Sequence, residues 1–218
     1  ELVILAGRDP STIGNGGVWY ERVSEVKPIG NDSMETVWEW RLFNHLIQDF
    51  DGTKFNFGDI SARPERLDIN YHPAMSGGFF GADWIHFNAI DYNPVLDQIM
   101  LSSRNFSELY IIDHSTTTQE AAGTEGGIYG KGGDFLYRWG NPVVYRRGTM
   151  ADQRLFGQHD TQWIPEGHPD EGKILVFNNG DGRPDGDYSS IEIIDPNVNP
   201  DGSYDVPDNS AFLPADQA

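Results

Sequence analysis

The chain has 218 residues, enough for one large domain with its own core, and 38% of them are apolar. Its formal charge of −19 argues against a nucleic-acid partner, because phosphate backbones are met by patches of Lys and Arg. It has no cysteine, which removes disulfides, thiolate metal sites and cysteine nucleophiles, and no apolar run approaches the ~20 residues of a membrane helix.

Aromatic residues make up 12% of the chain, with 25 glycines and 13 prolines. That mixture favours many short strands joined by many turns, hence an all-β protein. The first predicted strand is "ELVILAGRDP", ending near Arg8, and the next is "WYERVSEVKP". A strand with tryptophan follows, "TVWEWRLFNH". Residues 41–83 then form a long connection with one predicted helical turn near "NHLIQDF". From His86 to Ser115 comes a segment opened by a histidine, an apolar strand "QIMLSS", Arg104, a turn and the strand "ELYIIDHS". Residues 116–133 are a glycine-rich polar insertion, and "DFLYRWGNP" is the next tryptophan strand. From His159 to Asn197 the order recurs: a histidine segment, the strand "KILVFNN", Arg183, a polar turn and the strand "SIEIIDPN".

The recurrence is an internal repeat of about four strands per unit, in line with the four-stranded blade of a β-propeller. Blades pack radially, so equivalent residues of different blades converge on one axis although the chain separates them widely. The chain starts and ends inside a repeat, so these residues are expected to be part of one β-propeller domain, with further blades outside them. An open stack of sheets is the alternative. The two insertions, 41–83 and 116–133, would crown one face and shape its entrance.

His86 and His159 occupy the same slot of two repeats, whereas His45, His72, His114 and His168 have loop-like surroundings. Arg8, Arg104 and Arg183 each follow an apolar strand. A guanidinium has planar, forked donors suited to sulfate, phosphate or carboxylate; a salt bridge to a neighbouring sheet is the competing role. No H-E-x-x-H motif or paired histidine supports a metal, and "NNGDGRPDGDYSS" lacks calcium-loop spacing. A G-x-S-x-G serine, a P-loop and a dinucleotide fingerprint are also missing, so no cofactor is expected.

The motifs "WEWRLFNHLIQDF", "DISARPERLDINY", "DWIHFNAIDYNPVLDQIMLSSRNFSELYIIDHST", "GGDFLYRWGNP" and "FGQHDTQWIPEG…ILVFNNGDGRP…YSSIEI" resemble the bacterial arylsulfate sulfotransferase family. The resemblance runs from about residue 36 to 195. It implies a six-bladed β-propeller exported to the periplasm or the cell exterior. It also implies PAPS-independent transfer of a sulfuryl group from an aryl sulfate to a phenol, by way of a sulfated histidine. By motif, His86 and His159 resemble channel histidines and Arg183 the channel arginine. The family's nucleophilic histidine is expected later, beyond these residues. Arg104 and Asn88 are further substrate-binding candidates; Trp84 and Trp163 could stack on the aryl ring, but a place in the blade core is the favoured role. The implied partners are small molecules, an aryl sulfate and a phenol, and self-association stays open. A non-catalytic propeller that binds a partner, and an aryl sulfate hydrolase, are the competing functions.

Overall fold

The computed structural model describes residues 3–9, 19–71 and 82–215. Strands β1 (Val3–Asp9), β2 (Tyr20–Ile29) and β3 (Ser33–Arg41) form an antiparallel meander. Along β3 the period of two is plain: Trp38 and Trp40 are buried while Val37 and Arg41 stay exposed. Both indoles donate out of the sheet, Trp38 to Thr116 Oγ1 at 3.1 Å and Trp40 to the Gly133 carbonyl at 2.8 Å. The tryptophan strand is thereby fixed to the second insertion.

The first insertion carries a 3₁₀-helix at Leu42–His45, then β4 (Leu46–Ile47) and β5 (Leu67–Asp68), which pair in parallel. The helical turn expected near "NHLIQDF" therefore sits one step earlier, and residues 46–47 are extended. His45 has no exposed surface. Its Nδ1 lies 2.7 Å from Asp134 Oδ1, its Nε2 lies 2.9 Å from the Ala121 carbonyl, and its ring stacks on Trp40. It is a knot between the two insertions rather than a loop residue. His72 lies outside the described residues.

The second sheet has the order β6 (Phe87–Asn93), β7 (Gln98–Ser103), β8 (Glu108–Asp113) and β9 (Tyr137–Trp139), all antiparallel. Strands β7 and β8 are buried along their whole length. Between β8 and β9 the glycine-rich insertion makes one helical turn, α1 (Thr118–Ala121), closed by a capping box between Thr117 and Glu120. The third sheet is β10 (His159–Trp163), β11 (Ile174–Asn178) and β12 (Ser190–Ile194). β6 lies beside both β1 and β10, so the second sheet sits between the first and the third. A continuous apolar core runs through all three, from Val23 and Trp40 through Tyr110 to Val176 and Ile194. The chain is thus all-β with scarcely any helix, and its sheets are antiparallel meanders apart from the short β4–β5 pair. Among the described residues these sheets do not close into a barrel.

One charged pair lies inside this core. Arg138 on β9 is fully buried and donates from Nε to Glu108 Oε1 at 3.0 Å and from Nη2 to Glu108 Oε2. Its Nη1 donates to the carbonyls of Pro64 and Arg66, at 3.0 and 2.9 Å. The Tyr110 hydroxyl donates to the same carboxylate at 3.0 Å, and the Tyr145 ring lies 4.3 Å from the guanidinium carbon. Burial pushes the Glu108 carboxyl up, and the Arg138 charge draws it back down.

Candidate functional site

The site is built where the first strands of the second and third sheets begin. His86 immediately precedes β6, with its backbone in the left-handed region at φ 53°. Its carbonyl accepts the N–H of Arg104 at 3.1 Å, which ties it to the residue that follows β7. Its Nδ1 lies 2.6 Å from Asp83 Oδ2. The next residue, Phe87, donates its N–H to Glu21 Oε1 of β2 at 3.3 Å, so the first sheet also meets this corner.

His159 opens β10 opposite Phe177, and its Nδ1 lies 2.6 Å from Asn179 Oδ1. The residue before it, Gln158, is fully buried. Gln158 Nε2 donates to Ser102 Oγ, to the Ser103 carbonyl and to the Glu108 carbonyl, all within 2.9–3.0 Å. These bonds lock the start of β10 onto β7 and β8. Asn88 completes the link: its Nδ2 donates to the Gln158 carbonyl at 2.6 Å. Asn88 Oδ1 is buried and takes no hydrogen bond among the described residues.

Arg104 and Asn179 line one open hollow of about 500 Å³ with Gly180, Asp181, Asp187 and Ser189. Arg104 Nη2 reaches Asp181 Oδ2 at 3.3 Å. Its Nη1 donates to Asn105 Oδ1 at 3.4 Å. His86 is thus tied through its backbone to Arg104, and Asn88 to the residue before His159.

Arg183 is placed differently. Its guanidinium carbon lies 4.0 Å from the Tyr188 ring centroid, and Nη1 donates to the Tyr188 carbonyl and to Ser190 Oγ at 3.3 and 3.2 Å. Its Nε lies 3.0 Å from Asp185 Oδ1, off the line of a hydrogen bond. Its partners are those of a brace within its own turn. The residue that directly follows β11, as Arg104 directly follows β7, is Asn179. Trp84 and Trp163 are both buried, Trp84 edge-on to Phe106 and donating to the Tyr71 carbonyl at 3.0 Å. They belong to the core. Arg8 lies on β1 opposite Glu21, and its side chain is outside what the structure describes.

Asp83, Gln158, Asn179 and Asp181 were not singled out by the sequence. The signal for Asp83 was present in "DWIH", an acid at i, i+3 to the histidine, but it acts only because His86 takes the left-handed backbone. Among the described residues no group of His, Asp and Glu is arranged to hold a metal ion. A second hollow, about 260 Å³ between Trp139, Tyr145 and Phe212, has no histidine in its wall.

Gly180 makes the turn under Asn179 possible. Its φ is +75°, and a Cβ there would stand 2.0 Å from the Tyr188 carbonyl oxygen. Gly180→Ala is therefore expected to cost about 1–3 kcal/mol in urea unfolding, through strain and overpacking. The same change is expected to loosen the Asn179–His159 contact. Wild-type stability would show that the turn has room to spare.

A profile described as arylsulfotransferase (ASST) matches residues 22–193. That span runs from β2 to the penultimate residue of β12 and takes in His86, Asn88, Arg104, His159 and Arg183. Searches of curated proteins and of solved structures found no match. With most of its length inside the matched span, and with its oriented histidines and guanidinium inside it too, the chain belongs to the arylsulfotransferase family.

Proposed function

We propose that the chain transfers a sulfuryl group from an aryl sulfate ester to a phenolic acceptor, without a nucleotide donor, and that it works as part of an exported β-propeller. The observation that carries this reading is the family match, which takes in His86, Asn88, Arg104, His159 and Arg183. The antiparallel meanders, stacked with β6 between β1 and β10, support consecutive blades.

The chemistry asks for a nitrogen nucleophile, a cation for the sulfuryl oxygens and a group that handles one proton. The first is the later histidine that the resemblance implies, and His86 and His159 fit the last. The Nδ1 of His159 is tied to an amide oxygen, which only accepts, so Nδ1 holds the hydrogen. The nucleophilic imidazole nitrogen attacks sulfur, the S–O bond to the aryl group breaks, and its electron pair leaves with the phenolate oxygen. Protonated His86 gives that oxygen a proton. An acceptor phenol then returns a proton to His86, its oxygen attacks sulfur, and the S–N bond breaks.

Arg104 lines the hollow beside Asn179 and takes the role of sulfuryl-oxygen clamp that the resemblance assigned to Arg183. Asn88 Oδ1, buried and without a protein donor among the described residues, is an acceptor for a substrate hydroxyl.

The test is release of p-nitrophenolate from p-nitrophenyl sulfate by the full-length protein, with and without phenol. Release that needs phenol is expected. Release without phenol would make the protein a hydrolase, and no release would favour a binding module. In the same assay Arg104→Ala is expected to lower turnover by ~10²-fold, the scale of one lost transition-state donor. Arg183→Ala is expected to act through stability instead.

A further inference from the structure

We propose that the hollow between β9 and residues 210–215 is a second binding site, which takes a small aromatic anion: one ring bearing a carboxylate or a sulfate ester. The inference goes beyond the functional reading above and is separate from it, because this hollow shares no wall residue with the one beside Arg104. Trp139 at the end of β9, Tyr145 and Phe212 give it aromatic surface, and Pro142 and Pro214 extend that surface. Its volume is about 260 Å³, below the roughly 300–1,000 Å³ of pockets for drug-sized ligands, so it suits a single ring with one acid group.

The hollow is held open by bonds within the protein. Trp139 Nε1 donates to the Pro214 carbonyl and the Tyr137 hydroxyl to the Leu213 carbonyl, both at 2.7 Å. The Phe212 N–H donates to the Tyr145 hydroxyl at 3.3 Å, and the Phe212 ring stands edge-on to the rings of Tyr137 and Tyr145. Residues 212–214 are thereby pinned across β9 and the loop that follows it. A site formed in advance avoids much of the ordering cost of binding.

The charged part of the wall sets the sign of the ligand. Arg147 and Arg154 share it with one carboxylate, Asp152, so two positive charges stand against one negative. Asp152 is already engaged, its Oδ2 accepting from the Thr149 N–H and hydroxyl, both at 2.7 Å. Arg147 is half-buried and donates from Nε to the Ser61 carbonyl at 2.7 Å and from Nη1 to the Pro207 carbonyl. These neutral acceptors fix the guanidinium without neutralising it, and among the described residues no carboxylate pairs with Arg147. Two of its five N–H donors are used in this way, which leaves donors for a carboxylate or sulfate oxygen. A fixed guanidinium beside aromatic surface, in a chain of net charge −19, is matched by an anion that carries a ring.

The test is binding of p-fluorobenzoate to the full-length protein, read from fluorine relaxation of the probe. A Kd of about 1 mM or tighter is expected for a ligand of this size. Arg147→Gln is expected to weaken binding by ~10-fold or more, the scale of one charge-assisted hydrogen bond. Ser210→Trp, which fills the hollow from an exposed position of its wall, is expected to abolish it and leaves Arg147 in place should Arg147→Gln not fold. Arg104→Ala is expected to leave binding unchanged, since Arg104 lines the other hollow. The neutral p-fluorobenzamide is expected to bind ~10-fold more weakly than the acid. No binding to the wild type, binding that survives Ser210→Trp, or binding lost in Arg104→Ala overturns the proposal, and so does equal affinity for acid and amide. A wild type that binds the probe at this hollow but transfers no sulfuryl group defeats the functional reading and leaves the second site standing.

Discussion

Replacing His159 by alanine in the full-length protein is expected to lower sulfuryl transfer by ~10²-fold or more, the scale of one lost transition-state group. The expectation rests on how the ring is presented. Gln158 is nailed to β7 and β8 by three hydrogen bonds, and Asn179 fixes the ring from the opposite strand. Loss of His159 therefore removes the imidazole without disturbing the core, and thermal unfolding should shift little. A variant that keeps wild-type turnover would remove His159 from the mechanism.

The second large effect concerns the fold. Arg138→Ala is expected to lower the free energy of unfolding by about 3–5 kcal/mol, because it leaves the Glu108 carboxylate uncompensated inside the core. It also frees the carbonyls of Pro64 and Arg66, the acceptors that fasten the first insertion to β9. Urea unfolding followed by tryptophan fluorescence measures the change. The double replacement Glu108→Leu with Arg138→Met is expected to recover most of the loss, since it removes both charges and keeps apolar volume. A single variant within about 1 kcal/mol of wild type would mean that water reaches the pair.

Much of the fold was legible because the strands are written in alternating or continuous apolar runs. "QIMLSS" and "ELYIID" read as buried strands and are buried throughout. "TVWEWR" reads as a half-buried one, and its tryptophans point inward. The repeat order was legible too, since each unit keeps the same succession of strands. The site was legible only in part. His86, Asn88, Arg104 and His159 were named from motif and spacing, but their hydrogen-bond partners were not. The match of Arg104 to Arg183 failed because the turns after β7 and β11 differ in length: the short "RNFS" turn keeps Arg104 at the strand end, whereas "NGDGRPDGDYS" carries Arg183 away and leaves Asn179 there. Glu108 and Arg138 were illegible for a related reason. They meet across neighbouring strands separated by the whole glycine-rich insertion, and only the pairing of Tyr110 with Arg138 brings them side by side.

The knot at His45 has a consequence for how the protein can be altered. One imidazole fastens Asp134 and the Ala121 carbonyl to the segment that leaves β3, so the two insertions are joined at one point. An engineer who trims or grafts either insertion must carry its counterpart along, or move the joint. The wider latitude for redesign lies in the turn after Gly180, which borders the hollow beside Arg104 without bearing on that joint.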